Sequence, residues 1–103
     1  MAAIMVVSMD IVDDAWMAPY FAVVPGILEE YGARQIAGAK DVRRIEGEGA
    51  APQRMAIFSF PSIAAVDAFM ADERYRPFRK AREIGAISDI FIFENAVNEG
   101  QFV

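Results

Sequence analysis

The stretch SDIFIFEN, residues 88–95, sets the hardest constraint on what this chain can become. Its alternation places Ile90 and Ile92 on one side of a strand and Phe91 and Phe93 on the other, so neither side is made for water. Two further β-rich runs repeat the pattern. In IMVVSMDI, residues 4–11, Ile4, Val6 and Ser8 share one parity while Met5, Val7, Met9 and Ile11 share the other. In RMAIFSF, residues 54–60, Ala56, Phe58 and Phe60 oppose Met55, Ile57 and Ser59. A sheet built from these runs must be covered on both faces.

Two helical segments are available as cover. The first, within DDAWMAPYFAVVPGILEEYG (residues 13–32), has Asp13 and Asp14 as N-cap candidates and Gly32 as a C-cap. Met17, Phe21, Val24, Leu28 and Tyr31 form its apolar stripe, Pro19 suits its first turn, and Pro25 is expected to kink or split it. RQIAG and VRRIEG read as two halves of a second strand, interrupted at AKD where Gly38 permits a bulge or turn. The following EGAAPQ is a loop. Pro61 stops the third strand and Ser62 caps a helix carrying Val66, Phe69 and Met70, with a second helical piece broken near Pro77. The order is β-α-β-β-α-β, an α+β ferredoxin-like protomer with helices on one face of a four-stranded antiparallel sheet. The other face would stay bare, well above the few hundred Å² that monomers usually expose. A second copy packed sheet to sheet about a two-fold axis would bury it at roughly 25 cal/mol per Å², so the expectation is a homodimer through the open sheet face.

Length and composition agree with that plan. A chain of 103 residues supports one domain over 1–103, with a tail from about residue 96. Hydrophobic residues make up 55%, which excludes disorder, and no apolar run reaches the ~20 residues of a spanning helix. The apolar start MAAIMVVSMDI lacks a basic leader and reads as the first strand, not a secretion signal. With no cysteine there are no disulfides or thiolate sites, which suits a reducing compartment and points to the cytoplasm. With no histidine, serine–histidine triads and the usual zinc and non-haem iron ligand sets are also excluded. Chemistry is left to Tyr, Arg, Lys, Asp, Glu, Ser or water. A net charge of −5 gives nucleic acid no general reason to bind.

Arg34 shares its strand parity with Ile36 and Gly38, so it is expected to point where an arginine needs a carboxylate or an anionic ligand. Two readings stand: a bidentate grip on a ligand oxyanion at a cavity mouth, or a structural ion pair with Glu46, Glu29 or Glu30. Tyr20, Tyr31 and Tyr75 are the only phenols, and such residues either relay protons to a ligand or sit in the core with a satisfied hydroxyl. Trp16 with Tyr20 one turn later would line a flat aromatic slot. Residues 74–82 hold five of the ten basic side chains, but Asp72, Glu73 and Glu83 flank them, so a solvated, ion-paired helix face is expected, with Arg82 the member that turns inward. Asp10 and Glu94 are general-base candidates only if buried.

YGAR after a helix, EG closing the second strand, FPS before the second helix, AFM within it and RYRPFRKAR after it resemble the domain-of-unknown-function family numbered 1330. Tyr20, Gly32, Arg34, Glu46, Gly47, Phe60, Pro61, Ser62, Phe69, Tyr75 and Arg82 carry the likeness, which runs from Val6 to about Glu94. It departs at Ser59, where the family commonly has glutamate, and at Ala33, where it has a second glycine. The resemblance implies a dimeric α/β barrel, a superfamily whose members include cofactor-free monooxygenases, isomerases, cyclases and binding modules.

The functional expectation is a homodimer with an apolar small-molecule pocket in each protomer, performing cofactor-independent proton transfer on a carbonyl or aromatic substrate. Arg34 and Arg82 would hold an oxyanion, Tyr20 or Tyr75 would orient or protonate it, and Ser59, Trp16 and Glu46 would contact the substrate. No cofactor or metal, nucleic acid or membrane is implied. The alternatives are a non-catalytic metabolite-binding or stress module, and a cofactor-free monooxygenase whose substrate itself reduces oxygen.

Overall fold

The elements in chain order are β1 (Ala3–Ile11), α1 (Met17–Glu30), β2 (Arg34–Ala39), β3 (Arg54–Phe60), α2 (Ile63–Met70), α3 (Arg76–Gly85) and β4 (Ala86–Glu94). They are taken from a computed structural model that describes residues 2–103. The sheet runs β2-β3-β1-β4 with every neighbouring pair antiparallel, the ferredoxin-like order. β1, apolar on both sides, takes a central place.

Register assigns the two faces. Met5 stands opposite Phe58 and Ile92, and Val7 opposite Ala56 and Ile90. This set faces the helices, where Val24 and Ile27 of α1 and Val66 and Phe69 of α2 pack with Ala3, Met5, Phe60 and Tyr75 as the core. The other set places Ile4 opposite Ser59 and Phe93, and Val6 opposite Ile57 and Phe91. No helix covers it: Phe91 and Phe93 are 67% and 50% exposed.

α1 differs from expectation in the first half of its stripe, while Leu28 and Tyr31 pack against the core as expected. Its buried positions are Val24 and Ile27, with Tyr20 packed beside them, whereas Phe21 lies at the rim. The helix also runs through Pro25 unbroken. Pro25 lies on the exposed side, where water can accept the bond its nitrogen cannot donate to the Phe21 carbonyl. Asp13 is not the cap but forms a turn, its Oδ1 accepting from the Ala15 N–H at 2.8 Å. Gly32 does end the helix, at φ 76°, and a Cβ there would meet Pro61 at 2.7 Å.

The second strand is shorter than the sequence suggests. VRRIEG is loop, because extending β2 past Ala39 would need a partner before Arg54, and there Pro52 has no N–H and Gln53 is engaged with β1. The loop is held by Arg44, whose Nε donates to the Gly49 carbonyl at 2.8 Å. The bulge falls between Gln35 and Ala37, not at Gly38. Arg34 and Ala37 therefore share the open face, while Gln35 and Gly38 turn toward the helices.

Candidate small-molecule site

Ser62 starts α2 by accepting from the Ala65 N–H at 3.1 Å, and the chain then turns at residues 71–75 to begin α3 with a proline in its first turn. That turn fixes Tyr75, which stacks on Phe69 with ring centroids 4.3 Å apart and planes at 29°. Two helical turns after Tyr75, Arg82 points the same way, and at 4% exposure it is the one buried charged side chain among the described residues. Three others of the basic run stay at the surface in ion pairs, as its spacing predicts, and Lys80 is exposed. Arg74 pairs with Glu30 and Asp72, Arg76 with Glu73, and Arg79 with Glu83.

Arg82 donates from Nη2 to the Tyr75 hydroxyl at 3.3 Å, and that hydroxyl lies 3.2 Å from the Tyr20 hydroxyl. Among the described residues the guanidinium has no carboxylate partner. Burial works against its charge, but the attraction and hydrogen bonding of Tyr75, and then of Tyr20, outweigh this and raise its pKa. Tyr20 is pushed well above the ordinary phenol range, first by burial and next by Tyr75, with Arg82 only partly countering. Near neutral pH the cluster is one cation beside a neutral Tyr20.

Tyr20 is held by Trp16, an edge-on contact of 5.2 Å at 88°. Trp16 in turn lies against the backbone of Gly85, where a Cβ would collide with the indole Cδ1. Trp16 is thus a buttress behind Tyr20 and does not line the pocket, contrary to the slot expected from sequence. Its Nε1 is buried without a hydrogen-bond partner among the described residues, as is the Ser88 hydroxyl.

The three hydroxyl and guanidinium groups lie on the wall of a cavity of about 620 Å³ between the helices and the sheet. Met5, Val7, Phe58 and Ile90 form its floor, Phe21 and Leu28 part of its roof, and Met9, Met17 and Met70 fill the sides. Gln35 lines it too. Sequence reasoning missed Gln35 because the bulge that turns it inward leaves no mark in the alternation.

The remaining site candidates lie elsewhere. Arg34 and Ser59 are register partners on the open face of the sheet, and neither lines the main cavity, although Arg34 borders a smaller cavity that Tyr20 also lines. Glu46 is exposed in the loop, and its carbonyl, not its carboxylate, meets Arg44 at 3.5 Å. Arg34 forms no ion pair with it or with Glu29 or Glu30 among the described residues. Asp10 is used structurally, its Oδ1 accepting from the Gln53 N–H at 2.9 Å, and Glu94 is exposed at the strand end.

Arg82 and Tyr75 together can cradle an anionic oxygen. The Tyr75 oxygen accepts from Arg82, which leaves its own proton to donate, and a guanidinium has further N–H groups to offer. Separations of 3.2 and 3.3 Å are longer than well-formed hydrogen bonds of this type, so the cluster is slack enough to tighten around a ligand. Among the described residues no group of His, Cys, Asp or Glu is placed to hold a metal ion, and no helix is long and apolar enough to cross a membrane.

A family model described as Domain of unknown function (DUF1330) matches residues 2–96. The chain belongs to the DUF1330 family. This DUF1330 chain is similar in structure to a protein of unknown function from Rhodopseudomonas palustris, with a TM-score of 0.78 and 16% identity over 94% of this chain and 84% of that one. It is similar to SnoaB, a cofactor-independent oxygenase from Streptomyces nogalater, at a TM-score of 0.67 and 12% identity over 97% and 98% of the two chains. A dimeric ferredoxin-like protein of unknown function from a Jannaschia species gives 0.68 and 13%, covering 92% of this chain and 100% of that one. At such identities the likeness is one of fold. No curated protein matches the sequence.

Proposed function

We propose that this DUF1330 protein is a homodimer that binds a small acidic organic molecule in each protomer and carries out cofactor-independent proton transfer on it. The observation that carries the reading is Arg82: a buried cation with phenols but, among the described residues, no carboxylate for a partner, on the wall of an apolar cavity. A buried charge without a counter-ion is costly, and a ligand carboxylate, enolate or phenolate would relieve that cost. Methionine walls conform to flat, unsaturated ligands. Among the described residues no carboxylate lines the cavity to act as a base, so the substrate would enter already ionised, with Arg82 holding its oxygen and Tyr75 delivering a proton to it and regaining one from water.

The dimer is supported by the uncovered Phe91 and Phe93 and by the dimeric fold neighbour. The likeness to SnoaB favours a second reading, in which an electron-rich anion held at the same place reacts with oxygen. A cyclic 1,3-diketone, ionised near neutral pH, tests the first reading. Wild-type protein should bind it, and should accelerate deuterium uptake at its acidic carbon above the buffer rate; Tyr75→Phe should bind it without the acceleration. Oxygen consumption with the same probe would favour the oxygenase. Binding with neither effect would reduce the protein to a non-catalytic metabolite-binding module.

A further inference from the structure

The chain carries 15 acidic and ten basic residues, yet the residues lining the cavity include Lys40, Arg54 and Arg82 and no aspartate or glutamate. Acidic side chains are thus kept off this wall against the composition of the whole molecule. Arg82 belongs to the inner cluster already described. Arg54 is a separate cation on a different element: it opens β3 in the same parity as Ala56 and Phe58, so it faces the helices, and it is only half-exposed. Among the described residues it has no ion-pair partner. Lys40, exposed just past the end of β2, also lines the cavity and follows Ala39, the register partner of Met55 next to Arg54. Between the cations the lining is largely apolar, formed by Met9, Ala56 and Phe58, with Gln35 beside Phe58 as an uncharged polar group.

We propose that the natural ligand is a diacid: an apolar body with one anionic group held by Arg82 and Tyr75 and a second met by Arg54, with Lys40 adding to the field at the mouth. This rests on the binding reading above and adds the second charge, which selects diacids over monoacids of equal length. A half-exposed guanidinium facing a carboxylate supports a gain of about fivefold in affinity, and more where the contact is bidentate.

The test uses isothermal titration calorimetry with a series of α,ω-dicarboxylates of increasing chain length, each compared with its own monomethyl ester. The expected result is that one length range of diacid binds at least fivefold tighter than its half-ester. That advantage should disappear in Arg54→Met while half-ester affinity stays as in wild type, and Arg82→Met should lose both ligands. Equal affinity of diacid and half-ester at every length, or an advantage that survives in the Arg54→Met, Lys40→Met double variant, would overturn the second-charge proposal and leave the Arg82 site standing. Full binding of half-esters by a folded Arg82→Met protein, or no binding of either ligand by wild type, would bring down the site and this proposal together.

Discussion

Arg82 and Tyr75, seven residues apart along one helix and its leading turn, share a single hydrogen bond of 3.3 Å while both are almost wholly withdrawn from solvent. The pair is asymmetric. Tyr75 has Tyr20 as a second neighbour, whereas Arg82 has phenols but, among the described residues, no carboxylate beside it. Replacing Arg82 by Met removes a buried charge and leaves no orphaned phenol, so the variant should be as stable as wild type or more stable, by about 1–2 kcal/mol. Tyr75→Phe keeps the stack on Phe69 but strips the cation of its acceptor, and should cost about 1–3 kcal/mol. Urea unfolding midpoints decide the order, and combining the two substitutions should recover most of the Tyr75→Phe loss.

Tyr20 gives the molecule an alkaline limit. Its pKa is raised in the folded state, chiefly by burial, so the unfolded chain ionises this phenol first as pH climbs. The folded state then retains a proton the unfolded state has released, and stability falls as pH rises above the ordinary phenol value of about 10. Below that value Tyr20 adds no pH dependence. Thermal unfolding followed between neutral pH and strongly alkaline solution should show the fall, and Tyr20→Phe should flatten it.

The acid side is governed by a different clamp. Asp72 accepts from Arg74 and from the Tyr31 hydroxyl at 2.6 Å, tying the end of α1 to the α2–α3 turn. Its carboxyl is held well below the usual carboxylate range, by Arg74 first and Tyr31 second. A lowered folded-state pKa means the contribution is complete above the ordinary carboxyl value of about 3.9 and is lost as pH falls below it. Asp72→Asn should therefore lower the melting temperature at neutral pH and shrink the difference from wild type in acid.

Gly85 should be intolerant of even one methyl group. Its missing side chain is the space in which the Trp16 indole lies, so Gly85→Ala must push Trp16 away and with it the edge contact that holds Tyr20. The expected loss is about 1–3 kcal/mol, as for other overpacked sites. Trp16 is the only tryptophan, so its fluorescence reports the displacement directly.

Much of this arrangement was legible in the sequence because it follows from periodicity. The two-sided strands, the Ser62 cap, the break before Pro77 and the inward turn of Arg82 are all local patterns with one physical solution. The position of Arg34 was not legible. Its side is set by a bulge at Ile36, and a single extra residue reverses every later position on β2 without altering the composition that signals a strand. The role of Trp16 was equally hidden, since it depends on the approach of a glycine 69 residues further along the chain. The family resemblance fixed the fold well, but Tyr75 and Arg82 gained meaning only when three helices brought Tyr20 to them.

The open sheet face supplies the remaining prediction. Phe91 and Phe93 on β4 and Val6 and Ile57 on the central strands present apolar side chains in register on the side without helices. If a second protomer covers them, a charge placed there is desolvated on association and repelled by its own symmetry mate, so Phe91→Glu should yield a monomer. Sedimentation should give a dimer for wild type at micromolar concentration and half that mass for Phe91→Glu. Arg34 stands on this same face, so Arg34→Met should shift the dimer equilibrium. A wild-type protein that sediments as a monomer would leave those phenylalanines without cover and rule out the homodimer.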